Sequence, residues 1–443
     1  MAPEAIFHPA IPDTPASAQW QITRGKIMPV TFSGWEKETL SWKHSAYLAA
    51  NLTMPIQHLR GPEAAKLLSD YFTSNISTMK LGRCRHAIMC SENGNIMRNG
   101  IVLRISEDYF QCYTFAPLLE IIANSGKYDV EKMPEAEFNE FIYQVGGPKS
   151  LEILEQAAQE DLHDIKFMNF RNTTIAGHTV RVLRMGMAGT LGYELHGSLD
   201  DAHDVYRRIF EAGKEYGMEK LGSLSYVKCN HTENGFPQNG SHFLFAEAEH
   251  PEFKEQLGKA AAPETLRKQY TGSYSDNPAE LYRNPLEFGW DNMIDFSHDF
   301  LGKEALLKIK SDGNYKRLVS LEWNAEDIMD VISSYFRKDD EPYKMIDFPY
   351  PKGRIVDSVT DQEGNVIGAA MGAVYTLYYK QMISLAVINP EYTKIGTDVT
   401  VIWGDIGGKQ KKIKAKVARY PYLDMIRNEN FDVESIPHIK LIK

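Results

Sequence analysis

The sequence predicts an α+β fold in which two related lobes precede a small antiparallel barrel or sandwich. Segments 58–72 and 141–158 share the order strand, Gly-Pro turn and helix, and the likeness of LRGPEAAKLL to VGGPKSLEIL is a weak internal repeat. Between them, residues 85–115 alternate strand-like runs with an ENGN turn and an acidic turn, which indicates an antiparallel meander. Beyond about Arg317 the pattern consists of strands.

The helices are predicted from their end signals. The first segment, to about residue 50, combines turn signals with a helical run over 36–48. The helix of the first repeat opens with Pro62 and Glu63, which favour a helix start. After the second repeat and its strands, Gly217 stands where it would close a helix.

The second half of the chain is irregular at first and then rich in strands. Residues 237–284 are polar and irregular, as expected for a surface excursion or a lid over a site. The tail predicts a small antiparallel barrel or sandwich from five strand-like runs, KRLVSLEW, GNVIGAAMGAVYT, MISLAVINP, DVTVIWG and KKIKAKVARYPY.

Composition indicates a globular protein. A chain of 443 residues with 43% apolar content can bury substantial cores and has room for roughly three domains. No segment approaches the roughly 20 apolar residues of a membrane span. The N-terminus lacks the basic start and apolar core of a signal peptide, so we expect a cytoplasmic protein. Its four cysteines are expected to be reduced thiols, at Cys84, Cys90, Cys112 and Cys229.

Charge and histidine spacing narrow the class of ligand. A net charge of -10 without a basic stripe argues against nucleic acid and favours a small molecule. The histidines do not assemble the three ligands of a catalytic zinc site, so no metal is expected. No apolar stripe or heptad indicates an oligomeric state.

One short stretch places an acid in an unexpected setting. In GMAGTLGYELHG, residues 186–197, glycines that allow tight turns or close backbone approach precede a strand-like run with Glu194 between Tyr193 and Leu195. A carboxylate in an apolar strand beside a glycine-rich loop is unusual, and its position requires an explanation.

Several phrases together resemble the aminomethyltransferase (glycine cleavage T-protein) superfamily. They are LRGPEA, LGRCRHAIM, GYELHG, the 288–306 phrase FGWDNMIDFSHDFLGKEAL and the tail ending in IGTDVTVIWG. The closest likeness is to its tetrahydrofolate-dependent aromatic O-demethylases, which act on vanillate and syringate. The resemblance implies a three-domain cloverleaf, with two interleaved α+β lobes around a central folate channel in residues 1–310 and an antiparallel β-barrel in 311–443.

The resemblance also implies the residues that bind the cofactor, tetrahydrofolate. Glu194 of the GYE motif would bind the pterin, since a carboxylate accepts two neighbouring N–H donors; the alternative is a solvent-facing edge strand. Gln144 would contact the folate, or else face water at a strand end. Phe236 would stack on the folate, or else belong to the core. Arg83 lies in the LGRCRH phrase, which resembles the family's G-R-x-x-Tyr pattern.

Two residues are candidates for catalysis. Tyr226 matches a functionally important tyrosine of the demethylases, and its hydroxyl would donate to the ether oxygen as a phenoxide departs, an effect worth about 3 kcal/mol. The alternative is a buried tyrosine that caps a backbone carbonyl. His86 would donate a proton to the leaving oxygen or bind a substrate carboxylate, because an ordinary histidine pKa of about 6.5 permits either; a structural role is the alternative.

The substrate pocket departs from the family in several places. Asn99 replaces the catalytic aspartate of T-proteins, which puts glycine cleavage in doubt. Met28, Leu52 and Phe115 stand where the vanillate enzyme carries polar groups. We therefore expect a substrate more apolar than vanillate, for instance a chlorinated methoxybenzoate such as dicamba.

The expected function is transfer of a methyl group from an aryl methyl ether to N5 of tetrahydrofolate, giving 5-methyltetrahydrofolate and a phenol. Two alternatives stay open: folate-dependent demethylation of a sulfonium or methylamine, and a non-catalytic folate-binding scaffold. The scaffold paralogues carry a Lys-Gly-Cys-Tyr-x-Gly-Gln signature that DFLGKEAL does not match.

Overall fold

Four β-sheets organise the chain in the computed structural model, which describes residues 6–23, 25–50, 54–238, 240–258, 262, 265 and 267–439. The N-terminal sheet has the order β1-β3-β2 and contains β1 (Ile6–Phe7), β2 (Gln19–Thr23) and β3 (Lys26–Thr31). Helix α1 (Trp35–His44) follows and is shorter than the run 36–48 predicted from sequence, because a strand begins at Tyr47. Within these ranges, none of the helices combines the length and the apolar character that a membrane span requires.

The predicted meander forms a four-stranded antiparallel sheet with the order β5-β8-β7-β6. Two helices pack on one face of this sheet and bury Leu67, Leu68 and Phe110. These elements are β5 (Ile56–Arg60), α2 (Ala64–Tyr71), β6 (Cys84–Cys90), β7 (Ile96–Arg104), β8 (Tyr109–Tyr113) and α3 (Leu118–Ala123). The strand, Gly-Pro turn and helix order of the first repeat is therefore confirmed.

The second repeat belongs to a six-stranded sheet with the order β10-β11-β12-β9-β4-β13. Two helices cover one face around a core that includes Tyr143, Tyr193 and Tyr206. The elements are β4 (Tyr47–Ala49), β9 (Glu140–Gly146), α4 (Ser150–Ala158), β10 (Phe170–Ile175), β11 (His178–Leu183), β12 (Gly192–Ser198), α5 (Ala202–Gly213) and β13 (Glu219–Leu221). Because β4 precedes the first lobe yet pairs within the second, the lobes are interleaved.

The C-terminal strands close into a six-stranded antiparallel barrel, since β16 pairs with β17 on one side and with β19 on the other. Leu321, Val359, Val401 and Ile413 fill its core. The strands are β15 (Arg317–Trp323), β16 (Arg354–Thr360), β17 (Val366–Thr376), β18 (Gln381–Ile388), β19 (Asp398–Trp403) and β20 (Lys411–Ala418). Helix α8 (Lys303–Asp312) precedes β15 and lies close to Gly94 of the β6–β7 turn, whereas helix α9 (Ala325–Ser334) packs on β20. The sequence pattern leaves a barrel and a sandwich open, and the pairing of the strands shows the barrel. The domain boundary at residue 310 stays a prediction.

Shared apolar clusters join the three units in pairs. Ile101 and Tyr113 of the four-stranded sheet pack with Ile142 and Leu183 of the six-stranded sheet. A π-helix (Ser225–Asn230) and helix α6 (His231–Asn234) lie between the six-stranded sheet and the barrel, where Tyr47 and Tyr226 share a cluster with Val374 and Ile383. The arrangement is an α+β cloverleaf whose units meet around one centre.

The segment 237–284 is not only a surface excursion. It contains helix α7 (Pro251–Leu257) and strand β14 (Tyr270–Thr271), which pairs with β16. The expectation of a surface path is wrong for residues 243–246, because the apolar run FLFA is buried where the four-stranded sheet meets the barrel.

Candidate active site

The candidate site lies where the two sheets face each other. Antiparallel partners share a sheet face, so the register Glu194 with Gln144 and Ala49 with Gln144 places Tyr47, Gln144, Glu194 and His196 on one face of the six-stranded sheet. Opposite them, His86 pairs with Ile101 and Ile101 with Tyr113. Ile101 and Tyr113 of this sheet pack with Ile142 of the other sheet, so the two faces are in contact. Burial, and then the Glu194 charge, raise the pKa of the Cys84 thiol on the same face.

Glu194 is anchored on both carboxylate oxygens. The Gln144 Nε2 donates to Oε2 at 3.1 Å, and the His196 Nε2 donates to Oε1 at 2.8 Å. The Tyr113 hydroxyl lies 2.9 Å from His196 Nδ1, the other nitrogen of this ring. Since Glu194 is 1% exposed, the solvent-facing alternative is wrong, and the paired carboxylate is a buried acceptor aimed between the sheets.

Gln144 extends this contact into a continuous row. Its Oε1 accepts hydrogen bonds from the Tyr47 hydroxyl at 3.1 Å and from the Met187 backbone N–H at 3.0 Å. The Asn230 Nδ2 donates to the Tyr47 hydroxyl at 3.2 Å. Six hydrogen-bonded residues form what we call the polar row: Tyr113, His196, Glu194, Gln144, Tyr47 and Asn230. Sequence reasoning missed four of its members, Tyr113, His196, Tyr47 and Asn230, which match no quoted motif role.

Close packing explains the glycines beside the acid. A Cβ on Gly146 would lie 2.7 Å from Cζ of the Tyr47 ring, so only glycine lets that ring cover the strand. A Cβ on Gly192 would lie 3.4 Å from the Gly146 Cα, and one on Gly186 3.5 Å from the Gly192 Cα. The glycine-rich loop thus lies against the strand, and the Met187 amide reaches Gln144.

Tyr226 contacts the polar row from the π-helix. Its side chain is 4% exposed and packs in one cluster with Tyr47, and its hydroxyl lies close enough to Gln144 for this amide to affect the pKa of Tyr226. Burial, and then the nearby Tyr47 and Glu194, raise the pKa of Tyr226 well above its usual value. The hydroxyl therefore keeps its proton at neutral pH, as a hydrogen-bond donor to a leaving oxygen must.

His86 belongs to a cluster of rings that we call the aromatic cluster, made of His86, Phe236, Trp290 and His231. Phe236 stacks on Trp290 with ring centroids 5.3 Å apart, and His86 meets both edge-on at 5.1 and 5.2 Å. His231 lies 6.4 Å from Phe236 and 6.2 Å from Tyr226. The aromatic cluster therefore connects the predicted stacking residue Phe236 with the predicted donor Tyr226.

The protonation of His86 differs from the sequence-based expectation. Desolvation lowers the pKa of His86 to about 4, so the ring is neutral at neutral pH. The Asn99 Nδ2 amide donates to His86 Nε2 at 3.1 Å, which leaves the ring proton on Nδ1, 2.9 Å from the Met293 sulfur. A neutral ring does not favour proton donation to a leaving oxygen or binding of a carboxylate, and the catalytic role of His86 stays a prediction.

The remaining predicted site residues do not lie together in the structure. Asn99 is beside His86 as described, and Arg83 is half-buried with Nη1 3.4 Å from the Asn169 Oδ1. Met28 is buried in the apolar core of the six-stranded sheet, and Phe115 packs on Phe72 at 4.6 Å in the core of the first lobe. Leu52 lies outside the described residues. The pocket roles of Met28 and Phe115 stay predictions.

The residues fit a pterin. The buried Glu194 carboxylate can accept N–H donors beyond its two protein contacts, since each oxygen has two lone pairs. The Asn230 Oδ1 atom is buried and has no hydrogen-bond partner in the described part of the chain, which marks an acceptor left for another molecule. Phe236 supplies a half-buried ring for stacking beside this polar edge.

Sequence comparison finds related proteins along nearly all of the chain. Residues 14–243 match the family model of the GCVT N-terminal domain. The chain is 38% identical over 432 residues to the sesamin methylene transferase of Sinomonas sp. (strain No.22), covering 93% of this chain and 94% of that protein. It is 29% identical over 426 residues to the syringate O-demethylase of Sphingobium sp. (strain NBRC 103272 / SYK-6), covering 90% and 91%.

A solved structure supports the fold. The glycine cleavage system aminomethyltransferase T from Bartonella henselae superposes with a TM-score of 0.65 over 94% of this chain and 96% of that chain, at 18% identity. The predicted superfamily, the transferase class and the cofactor are thereby confirmed. With a family model matched over half of its length and a relative 38% identical along nearly all of it, the chain belongs to the GCVT family of tetrahydrofolate-dependent transferases.

Proposed function

We propose that this protein is an O-demethylase that transfers the methyl group of an aryl methyl ether to tetrahydrofolate and releases a phenol. The observation that carries the proposal is the buried, protonated Tyr226 hydroxyl in contact with the polar row. The relative named syringate O-demethylase supports the same reaction class. When bound, tetrahydrofolate supplies N5 as the atom that receives the methyl group.

The chain's own residues would do the rest of the chemistry. A phenoxide is a poor leaving group, and a hydroxyl that donates to its developing charge is worth about 3 kcal/mol, or roughly a hundredfold in rate. Tyr226 supplies that donor, while Glu194 and Gln144 would hold the polar edge of the pterin and Phe236 its face. Holding the reactants at attack distance between the sheets contributes further, since orientation alone can supply roughly 7 to 11 kcal/mol.

We further propose that the substrate is a methoxybenzoate less polar than vanillate, such as a chlorinated one. The rings of the aromatic cluster support this, because burial lowers the pKa of His231, like that of His86, to about 4. All four members of the cluster are therefore neutral at neutral pH. A flat, halogenated ring would pack among such rings without the loss of any charge pair.

Methylene transfer from an aryl methylenedioxy compound is the second candidate. The 38% identity to a sesamin methylene transferase favours it over the sulfonium and methylamine alternatives. Cleavage of such an ether also leaves a phenoxide oxygen, so the same Tyr226 donor would serve. Departure of a neutral sulfide or amine needs no such donor, and a scaffold needs no catalytic hydroxyl at all.

The test is an anaerobic incubation of the purified protein with tetrahydrofolate and a panel of substrates. The panel contains methoxybenzoates with and without chlorine, a methylenedioxybenzoate and a dimethylsulfonium compound. The mass of the folate product distinguishes a methyl from a methylene group. A methyl product from a chlorinated member above that from vanillate supports the proposal, a methylene product supports the second candidate, and turnover of the sulfonium alone contradicts both.

A further inference from the structure

A second cluster of metal-ligating side chains lies away from the polar row, on the other side of the second lobe. Asp161 and His163 follow helix α4, whereas His438 belongs to the C-terminal segment, 277 positions after Asp161. One ligand atom of each residue lies within 4.8 Å of the others. Two distant parts of the chain thus bring two imidazoles and a carboxylate to one place.

The hydrogen bonds of His163 fix where its lone pair points. Its Nε2 lies 3.1 Å from the Ile436 carbonyl oxygen, which can only accept, so Nε2 carries a proton. Its Nδ1 then faces the Glu155 Oε1 at 2.7 Å and the Asp161 Oδ1 at 3.3 Å. A nitrogen lone pair against two carboxylate oxygens needs a cation between them, either a proton or a metal ion.

His438 approaches the same carboxylate. The rings of His163 and His438 stack with centroids 3.8 Å apart, and the His438 Nδ1 contacts the second oxygen of Asp161. Both Nδ1 atoms therefore lie beside one carboxylate.

A buried oxygen nearby is an independent sign of missing positive charge. Glu155 is 1% exposed, and its Oε2 has no hydrogen-bond partner in the described part of the chain. A buried carboxylate that is incompletely paired is costly, and a neighbouring dication compensates it better than one proton does.

We propose that Asp161, His163 and His438 bind one Zn²⁺ ion. Imidazole nitrogen with carboxylate oxygen is a typical donor set for zinc, whereas Ca²⁺ and Mg²⁺ prefer oxygen alone. Asp161 and His438 are half exposed, so water can complete the coordination. Binding releases the proton from His163 Nδ1 to solvent, and no oxidation or reduction is involved.

The ion would tie the C-terminal segment to the second lobe. Val433 and Ile436 already pack in the core of that lobe, and Arg184 donates to the Phe431 carbonyl oxygen at 2.7 Å. A metal link across so long a stretch of chain stabilises the folded state, because the unfolded chain loses the site.

The experiment uses the full chain, treated with chelator and then titrated with Zn²⁺ by calorimetry, with thermal unfolding measured in parallel. The variants are His438→Gln, which changes a half-exposed side chain and spares the core, and Asp161→Asn. The matched control is His178→Gln, because His178 also contacts two carboxylates on this lobe, Asp201 at 2.9 Å and Asp204 at 3.5 Å, without a second imidazole.

We expect one ion per wild-type chain, at least about tenfold weaker binding in His438→Gln and Asp161→Asn, and no change in His178→Gln. Zn²⁺ should raise the melting temperature of the wild type and of the control, but not that of His438→Gln. Absence of stoichiometric binding, or equal binding by wild type and His438→Gln, overturns the proposal. Either result is independent of folate and of turnover.

Discussion

Gln144 and Glu194 lie directly opposite each other on strands β9 and β12, and the amide Nε2 of Gln144 donates to the Glu194 Oε2 at 3.1 Å. This pair links the second strand-turn-helix repeat to the glycine-rich motif. The pair therefore places an oriented, buried carboxylate at the centre of the cloverleaf.

Replacing Glu194 by Gln is expected to weaken tetrahydrofolate binding. A hydrogen bond to a charged group contributes about 1.5 to 3 kcal/mol, so the dissociation constant should rise roughly tenfold to hundredfold. Calorimetric titration with tetrahydrofolate measures this directly. Glu219→Gln is the control, because Glu219 pairs with Lys37 at 2.8 Å near the surface; equal affinity in both variants would contradict the assignment.

Replacing Tyr226 by Phe is expected to lower kcat on an aryl ether by about a hundredfold, because the leaving oxygen loses its donor. The dissociation constant of tetrahydrofolate should change little. Tyr206→Phe is a matched control, since the buried Tyr206 hydroxyl has no hydrogen-bond partner in the described residues. Near-normal turnover of the Tyr226 variant would rule out the donor mechanism.

The pH dependence of activity should lack the signature of an ordinary histidine. Desolvation lowers the pKa of His86 to about 4, so the ring stays neutral and kcat/KM should show no inflection near the usual value of about 6.5. The lowered pKa of His86 also makes the stability of the folded state depend on pH. A histidine with a depressed folded-state pKa favours the folded state above about pH 6.5, and this contribution is lost as the pH falls toward 4.

A pH–rate profile together with urea unfolding at several pH values checks both statements. An inflection near the usual histidine value that disappears in His86→Gln would show that His86 is charged during turnover. That result would support proton donation by His86, which the lowered pKa disfavours.

The glycine packing gives a prediction about steric fit. Gly146→Ala would place a methyl group 2.7 Å from the fully buried Tyr47 ring, which must shift and lose its contact with Gln144. Overpacking of this kind costs about 1 to 3 kcal/mol of unfolding free energy, and turnover should fall as well. In Gly186→Ala the nearest atom would be 3.5 Å away, so that variant should resemble the wild type in urea unfolding.

The sequence predicts only those site residues that lie within a recognisable motif. Short phrases and the likeness to a family point to Glu194 and Gln144, whose folate-binding roles stay predictions, and turn residues and periodicity predict the order of strands and helices in both repeats. The polar row as a whole was not predictable, because its contacts join residues far apart in sequence: Tyr47 is 97 positions from Gln144 and 183 from Asn230. A local sequence pattern cannot predict contacts between residues so far apart in the chain.

Two further differences have the same physical origin. The neutrality of His86 depends on rings at positions 236 and 290, so the residues around His86 give no sign of it. Closure of the barrel depends on the pairing of β16 with β19, and the inward-outward alternation of strands is the same in a sandwich. The pocket roles of Met28 and Phe115, which rest on likeness to a family, stay predictions; both side chains lie in apolar cores.

One labelling experiment decides whether this chain is an aryl ether demethylase. A chlorinated methoxybenzoate with ¹³C in its methoxy group is incubated anaerobically with the protein and unlabelled tetrahydrofolate, and the folate is then analysed by mass. We expect ¹³C-methyl on the folate in step with release of the phenol, and transfer slower by about a hundredfold in Tyr226→Phe. Phenol release without label on the folate, or an unlabelled folate and an intact ether while tetrahydrofolate is bound, would contradict it.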